Sequence, residues 1–368
     1  MAQRQFTKND TSVWGDRFGN GSDGAIAYTV SGSDPTANTT ITGTSGGTSA
    51  TVGAGTGFAN GNLILIHQTQ GTGAGNWELN KISSVGSGTN WTLAYTLINT
   101  YGTGAQVYLL KQYSSVTINS GVNLTSQSWN GSKGGILAFI CNGTVTVTGS
   151  LIGTGTGFRG GAGRSGGNGG DQGEGYPGAG AVNTGSTAAN GNGGGAGTNN
   201  AGAGAGGGNG AGGSNGAGSN GGVAGGTSGN AGLTSMSLAG AGGGASDGTS
   251  AGSGGNGGGI ILVIGKQITV TGGITNNGNN GVNAGAGGGA GAGGSVLLKG
   301  QIITLGSTLV TALNGTGGTG TKAGGNGGVG RIHADYSGSL TGTTNPTIDS
   351  TQDGTLADAG GAAVFAFM

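Results

Sequence analysis

The chain has 368 residues, of which 100 are glycine and 3 proline, and its 12 basic and 12 acidic side chains leave no net charge. Glycine inside a helix costs roughly 1 kcal/mol relative to alanine, so this composition excludes a helical α/β enzyme, and the lack of proline excludes collagen. Scarce charge argues against charge-driven disorder, and a zero balance gives no electrostatic footprint for nucleic acid or an anionic membrane.

Residues 1–24 are polar, with Trp14 and Phe18 set among glycines, and we expect an attachment segment there. The first residues carry no apolar core of a secretory signal, so export by that route is not expected. Apolar runs such as Ile260 to Ile264 fall far short of the roughly 20 residues a membrane helix needs, so membrane insertion is not expected either. Residues 25–112 alternate apolar and polar positions between turn residues, the pattern of strands and hairpins. Candidate strands are 25–30, 63–68, 77–85, 91–95 and 106–111, with a glycine hairpin over 84–91. We expect a small β-barrel or sandwich.

From about Tyr113 an internal repeat takes over. Segments 135–149, 259–272 and 294–306 each read as strand, tight turn and strand, and a degenerate copy begins at Gly330. Such a unit cannot bury its apolar face alone, whereas stacked copies can. The pattern predicts an all-β chain whose residues 113–340 form a β-solenoid or stacked β-sheet layer. Residues 115–126 supply its first rung, and 341–368 a tail or strand. The lone Cys141 ends the run Ile-Leu-Ala-Phe-Ile-Cys; it can make no internal disulfide and reads as a buried structural thiol.

Between the repeats lie glycine-rich excursions, 153–259 with 47 glycines and the shorter 278–294 and 314–330. Glycine often returns every third residue, as at Gly204, Gly207, Gly210, Gly213 and Gly216, or Gly285, Gly288, Gly291 and Gly294. Three residues per turn is the period of polyproline II, which has no internal hydrogen bonds. Copies packed side by side must therefore bond to one another. Each glycine loses roughly 0.5–1 kcal/mol of extra chain entropy, so the packed form requires most interhelix bonds to be made. A flexible Gly/Ala/Ser/Asn linker is the alternative. The period of three and the direct return into strands favour packed polyglycine II helices.

These short Gly-x-y runs beside strands resemble the polyglycine II sandwich domain of bacteriophage tail-fibre adhesins, and the strand repeats resemble glycine-rich β-solenoid surface proteins. The resemblance implies a virion protein that binds a host surface receptor, an outer-membrane protein or a glycan, as a homo-oligomer with other fibre subunits. It also implies recognition by turns at one end of the glycine bundle. By position these are Asp171, Glu174 and Tyr176 in one turn, and Leu233, Met236 and Leu238 in another. The last three are the apolar cluster of the long excursion, a binding patch if exposed and, if buried, a cap of the bundle or a contact that docks it on the solenoid.

Chemistry is thinly supported. His67 and His333 lie in strand-like contexts, and no Cys/His spacing suggests zinc. A glycosidase needs paired carboxylates roughly 5–10 Å apart; Asp171 with Glu174, or Asp335 with Asp349 and Asp353, are the candidates. We expect no enzyme and no cofactor. The alternatives to an adhesin are a self-assembling prokaryotic surface or filament protein, and an ice-binding protein suggested by Thr-x-Thr strands such as 144–148.

Overall fold

The computed structural model describes residues 17–357 except 87, 167 and 184, and contains no α-helix among them. The chain opens with β1 (Ala25–Tyr28) and β2 (Gly32–Ser33). Next come β3 (Asn38–Gly43), β4 (Ser49–Val52), β5 (Leu63–Gln68), β6 (Trp77–Ser84), β7 (Asn90–Leu93) and β8 (Ala105–Leu109). These six close an antiparallel barrel in the order β3-β4-β7-β6-β5-β8. The chain returns through β9 (Lys111–Tyr113), β10 (Ser115–Ile118), β11 (Asn123–Thr125), β12 (Ile136–Val147) and β13 (Ser150–Ile152). Within the long excursion β14 (Arg164–Ser165), β15 (Ala201–Gly202) and β16 (Ser246–Asp247) make a small separate sheet. β17 (Ile260–Val270), β18 (Gly273–Thr275), β19 (Ser295–Thr311), β20 (Arg331–Asn345) and β21 (Asp349–Gln352) follow.

The strands outside the barrel and the small sheet form one twelve-stranded parallel sheet curled into a half-barrel. One flank runs β1-β10-β12-β17-β19-β20-β21 and the other β2-β11-β13-β18-β19. The repeats meet in register, with Ile136 beside Ile260, Ile260 beside Ser295 and Ser295 beside Arg331. The course β10/β11 lies where the sequence predicts a first rung. An earlier course precedes it, because Ala25 pairs with Ser115 and Gly32 with Leu124. Strand 25–28 thus belongs to the parallel sheet and not to the barrel module in which we expected it. The barrel is an insertion between the first two courses.

Burial explains the composition of the long strands. Ile136–Cys141 of β12 and Ile260–Ile264 of β17 are buried on both faces, and they are unbroken apolar runs as two-sided burial requires. One face joins the inner core with Leu137, Phe139, Val263 and Leu298. The other, with Ile140, Leu262 and Leu297, packs on Leu63, Leu65, Trp77 and Leu79 from the outside of the barrel. Beyond a bulge between Cys141 and Thr144 the strands turn one-sided. Val145 and Val147 stay in the core while Thr144 and Thr146 are half-buried on the outer face. The barrel has its own interior of Ile64, Ile66, Ile82, Val107 and Trp91, with Phe58 and Trp91 ring centroids 4.9 Å apart.

The glycine-rich segments have few assigned strands, yet their backbones are densely hydrogen-bonded. Ala203 and Gly206 donate to the carbonyls of Ala217 and Ser214, at 3.0 and 2.9 Å. Gly204 and Gly207 donate to Gly287 and Ala290, and Ala205 and Gly208 to Gly195 and Asn192. Every third residue therefore serves the same neighbour, and three neighbours surround the segment. Residues 240–245 repeat the rule: Gly240 and Gly243 bond to Gly208 and Ala205, Ala241 and Gly244 to Glu174 and Asp171, Gly242 and Ala245 to Gly255 and Gly252. Neighbours come this close only without side chains. A Cβ on Gly204 or Gly207 would lie under 3.0 Å from the Gly243 or Gly240 carbonyl oxygen.

Gly210 is held the same way, its N–H 2.9 Å from the Val329 carbonyl, and a Cβ there would meet the Gly330 backbone under 3.0 Å away. Gly210→Val should lower Tm by several degrees, in line with overpacking costs of about 1–3 kcal/mol or more. Gly248, with nothing within 4 Å of its built Cβ, should accept valine with little change. Equal melting of the two variants would show that the segment is not packed as described.

Candidate functional site

The region richest in candidate residues is the seam between the barrel and the glycine-rich bundle. Glu174 is buried and salt-bridged to Arg159, with Arg159 Nε 2.9 Å from Oε2, and its Oε1 accepts from Gln70 Nε2 at 3.0 Å. Gln70 also donates to the Gly175 carbonyl at 3.0 Å. Glu174 therefore ties bundle to barrel and is not available to a receptor. Asp171 makes a two-pronged pair with Arg164 at 2.7 and 2.9 Å and accepts from the Asn183 N–H at 2.7 Å. Partial burial raises the Asp171 pKa, but the Arg164 guanidinium and the Asn183 N–H outweigh it and hold the carboxyl below its usual range. Tyr176 is 36% exposed, and its carbonyl accepts the Gly71 N–H at 2.8 Å.

Leu233, Met236 and Leu238 are fully buried with Trp77, Leu79, Ile260 and Phe158. They are a wedge between barrel and sheet, not a receptor patch. Their backbone is bonded to the barrel as well. Trp77 Nε1 donates to the Leu233 carbonyl at 3.0 Å, and the Met236 N–H to Gly75 at 3.0 Å. Phe18, expected in an attachment segment, is buried in the same cluster. The ring gains more from this apolar seam than a solvated tail would give it. Trp14 lies outside the described residues.

From Gly71, which bonds to the Tyr176 carbonyl, the barrel rim opens a groove of about 610 Å³, lined by Ser45, Gln68, Gly71, Thr72, Gly73, Asn76, Ile98, Asn99, Thr100, Gly102 and Thr103. Among the described residues, no charged side chain lines it. Its walls are fixed from behind. Glu78, buried in β6, accepts the N–H groups of Ile98 and Asn99 at 2.9 and 3.2 Å. Gln68 accepts the Gly102 N–H at 2.9 Å and donates to the Gln70 and Thr103 carbonyls at 2.6 and 3.0 Å. Both glutamates of the chain thus shape this seam. Among the described residues, the side chains of Thr72, Asn76 and Thr103 have no protein hydrogen-bond partner. The groove offers neutral donors and acceptors on a fixed frame, which suits binding of a neutral polar ligand. The sequence holds a signal for it in the polar run His-Gln-Thr-Gln after Leu-Ile-Leu-Ile, which marks a strand end where buried amides must find partners.

The carboxylate pairs considered for glycoside hydrolysis are otherwise engaged. Asp171 and Glu174 hold separate arginines. His333 sits between Asp335 and Asp349, at 3.0 and 2.8 Å, and Lys299 pairs with Asp335. Asp353 accepts from Thr355 at 2.9 and 2.6 Å, capping a short 3-10 turn. No group of His, Cys, Asp or Glu among the described residues is arranged to hold a metal ion. No helix among them is long and apolar enough to cross a membrane.

His67 couples barrel to wedge. Nε2 donates to the Met236 carbonyl at 2.9 Å, which leaves Nδ1 to accept from Thr69 Oγ1 at 2.8 Å. Burial drives its pKa down from 6.5 to about 4, against a smaller upward pull from the Met236 carbonyl. The unfolded chain therefore binds the extra proton first, and stability present above pH 6.5 is lost as pH falls from 6.5 towards 4, by up to roughly 3 kcal/mol. His67→Gln, which keeps a donor and an acceptor, should show a smaller fall in Tm over this window than the parent chain. Parallel Tm profiles would remove His67 from this role.

No protein-family model, no curated protein and no solved structure matches the chain.

Proposed function

We propose that the chain is a non-enzymatic recognition protein, a virion tail-fibre component or adhesin that binds a host cell surface. Its glycine-rich segments are polyglycine II helices and its parallel sheet a β-solenoid. The hydrogen-bond rule of three supports the first assignment, since a backbone with three residues per turn directs successive N–H groups to three neighbours. In-register stacking of the repeats supports the second. The observation that carries the functional reading is the uncharged groove of about 610 Å³, whose lining residue Gly71 bonds to the carbonyl of the exposed Tyr176. Its volume falls in the range of ligand sites, roughly 300–1,000 Å³. Fixed neutral donors and acceptors, with an exposed tyrosine on the adjoining bundle turn, suit a surface glycan or a polar loop of a receptor. A stiff, multiply bonded body behind such a groove would transmit the pull of attachment without unfolding.

The test is binding of the labelled full-length chain to a panel of intact bacterial cells. Saturable binding is expected on at least one strain, weakened about tenfold or more by Tyr176→Ala or Asn76→Ala at unchanged Tm, as for a loss of roughly 1.4 kcal/mol or more. Saturable binding that neither substitution affects would remove the groove from the reading. Absence of binding together with concentration-dependent polymerisation would replace the reading with a filament subunit.

A further inference from the structure

The outer face of the parallel sheet carries an array that the recognition reading does not use. Thr117 of β10 pairs in register with Thr146 of β12, Thr146 with Thr269 of β17, Thr269 with Thr304 of β19, and Thr304 with Thr341 of β20. Five threonines thus stand in one column across five adjacent strands. The column two residues before it runs Thr144, Gln267, Ile302 and Ser339. A third column two residues on is incomplete: Thr148, Thr271 and Thr343 are exposed, but Gly306 takes its place in β19, Thr148 donates to the Ile118 carbonyl at 2.7 Å and Thr343 Oγ1 accepts the Thr308 N–H at 3.1 Å. Neighbouring strands lie about 4.8 Å apart, and residues two apart on one strand about 6.6 Å apart. The result is a two-dimensional lattice of side chains, nearly all of them hydroxyl-bearing and none of them charged.

We infer that this face adsorbs to ice. A threonine hydroxyl both donates and accepts. Among the described residues, the five hydroxyls of the central column have no protein partner, so each is left to water. β-Branching restricts χ1, and cross-strand Thr–Thr packing holds the column together. The hydroxyls therefore keep a fixed spacing at little entropic cost. A single threonine holds water weakly, whereas a rigid lattice of them binds a repeating surface at many points at once. Ice presents such a surface, with water donors and acceptors at regular intervals of a few ångströms. Charged side chains would impose their own hydration and break the match, and the three columns contain none. A protein partner fits less well, because binding hot spots are built from tryptophan, tyrosine and arginine, which the array lacks. Its apolar side chain is Ile302, 43% exposed. The inference does not depend on the barrel groove.

Purified full-length chain should show thermal hysteresis and faceted ice crystals in nanolitre osmometry. Thr269→Lys and Thr304→Lys, each placing a hydrated charge in the central column, should reduce hysteresis several-fold, while Thr304→Ser keeps most of it. Far-UV circular dichroism and Tm confirm that each variant is folded; Thr304 is exposed and accepts lysine without repacking. Tyr176→Ala should leave hysteresis unchanged, so failure here and failure of cell recognition are distinguishable. No hysteresis in the parent chain, or equal hysteresis in folded lysine variants, overturns the inference. Loss of cell binding in the lysine variants, without any effect on ice, would assign the face to a macromolecular receptor and overturn it too.

Discussion

The constraint on which this molecule depends is that a buried peptide group must be hydrogen-bonded. Most proteins meet it within helices or along sheet ladders, and side chains fill the space between. The long excursion here has few side chains to fill space with. Its peptide groups reach neighbours directly, in three directions, and the absence of Cβ atoms permits the approach. Glycine is therefore not a source of looseness in this chain. Segments 203–208 and 240–245 are as fully bonded as strands, although neither is a strand. Such packing gains little from hydrophobic burial and depends on nearly complete bonding, so it needs rigid walls to start from.

The parallel sheet provides those walls. Its strands begin where glycine segments end: Gly259 precedes β17, Gly294 precedes β19 and Gly330 precedes β20. The Ile260 N–H bonds to Gly135 and the Ser295 N–H to Gly259, which continues the ladder back into the glycine rows. One backbone register thus runs from sheet into bundle. The exposed rows follow it too, because Asn277, Asn280 and Asn283 accept the N–H groups of Leu313, Thr316 and Thr319 through their side-chain amides at 2.7, 2.8 and 2.8 Å. Asparagine recurs every third residue there because its amide replaces a missing backbone neighbour. The barrel covers what remains, the apolar outer face of the first halves of β12, β17 and β19.

Much of this was legible in the sequence, and the exceptions have a common cause. The repeats at 135, 259, 294 and 330 are readable because two-sided burial writes an apolar run and the tight turn writes a glycine. The three-residue period is readable because close approach permits nothing else at those positions. Strand 25–28 does not declare its body, because an alternating Ala-Ile-Ala-Tyr fits an antiparallel barrel edge as well as a parallel course. Its partner at Ser115 lies beyond the whole barrel. Leu233, Met236 and Leu238 announced a cluster, but the barrel face that covers it is more than 150 residues away in the chain. The groove is illegible for a similar reason, since Gln68 and Glu78 fix walls that lie 20 to 35 residues further along the chain. Types and periods were local information, and partners were not.

The last described strands carry polar pairing at the edge of the parallel sheet. A parallel sheet with repeating courses has an edge that invites another copy. Lys299 of β19 pairs with Asp335 of β20, and His333 of β20 with Asp349 of β21, each directly across the register. A buried charge persists only when paired, as Lys299 is with Asp335 on the neighbouring strand. Burial alone would raise the Asp335 pKa, but His333 and Lys299 hold it below the usual carboxylate range. β21 spans four residues, all exposed, so it satisfies only part of the β20 edge and offers a short template of its own. Short, charged edge strands are a recurrent means of preventing edge-to-edge growth. β20 and β21 therefore add an ion pair and side-chain hydrogen bonds to the apolar contacts of Ile332 and Ala334, and the hydroxyl columns beside them face solvent.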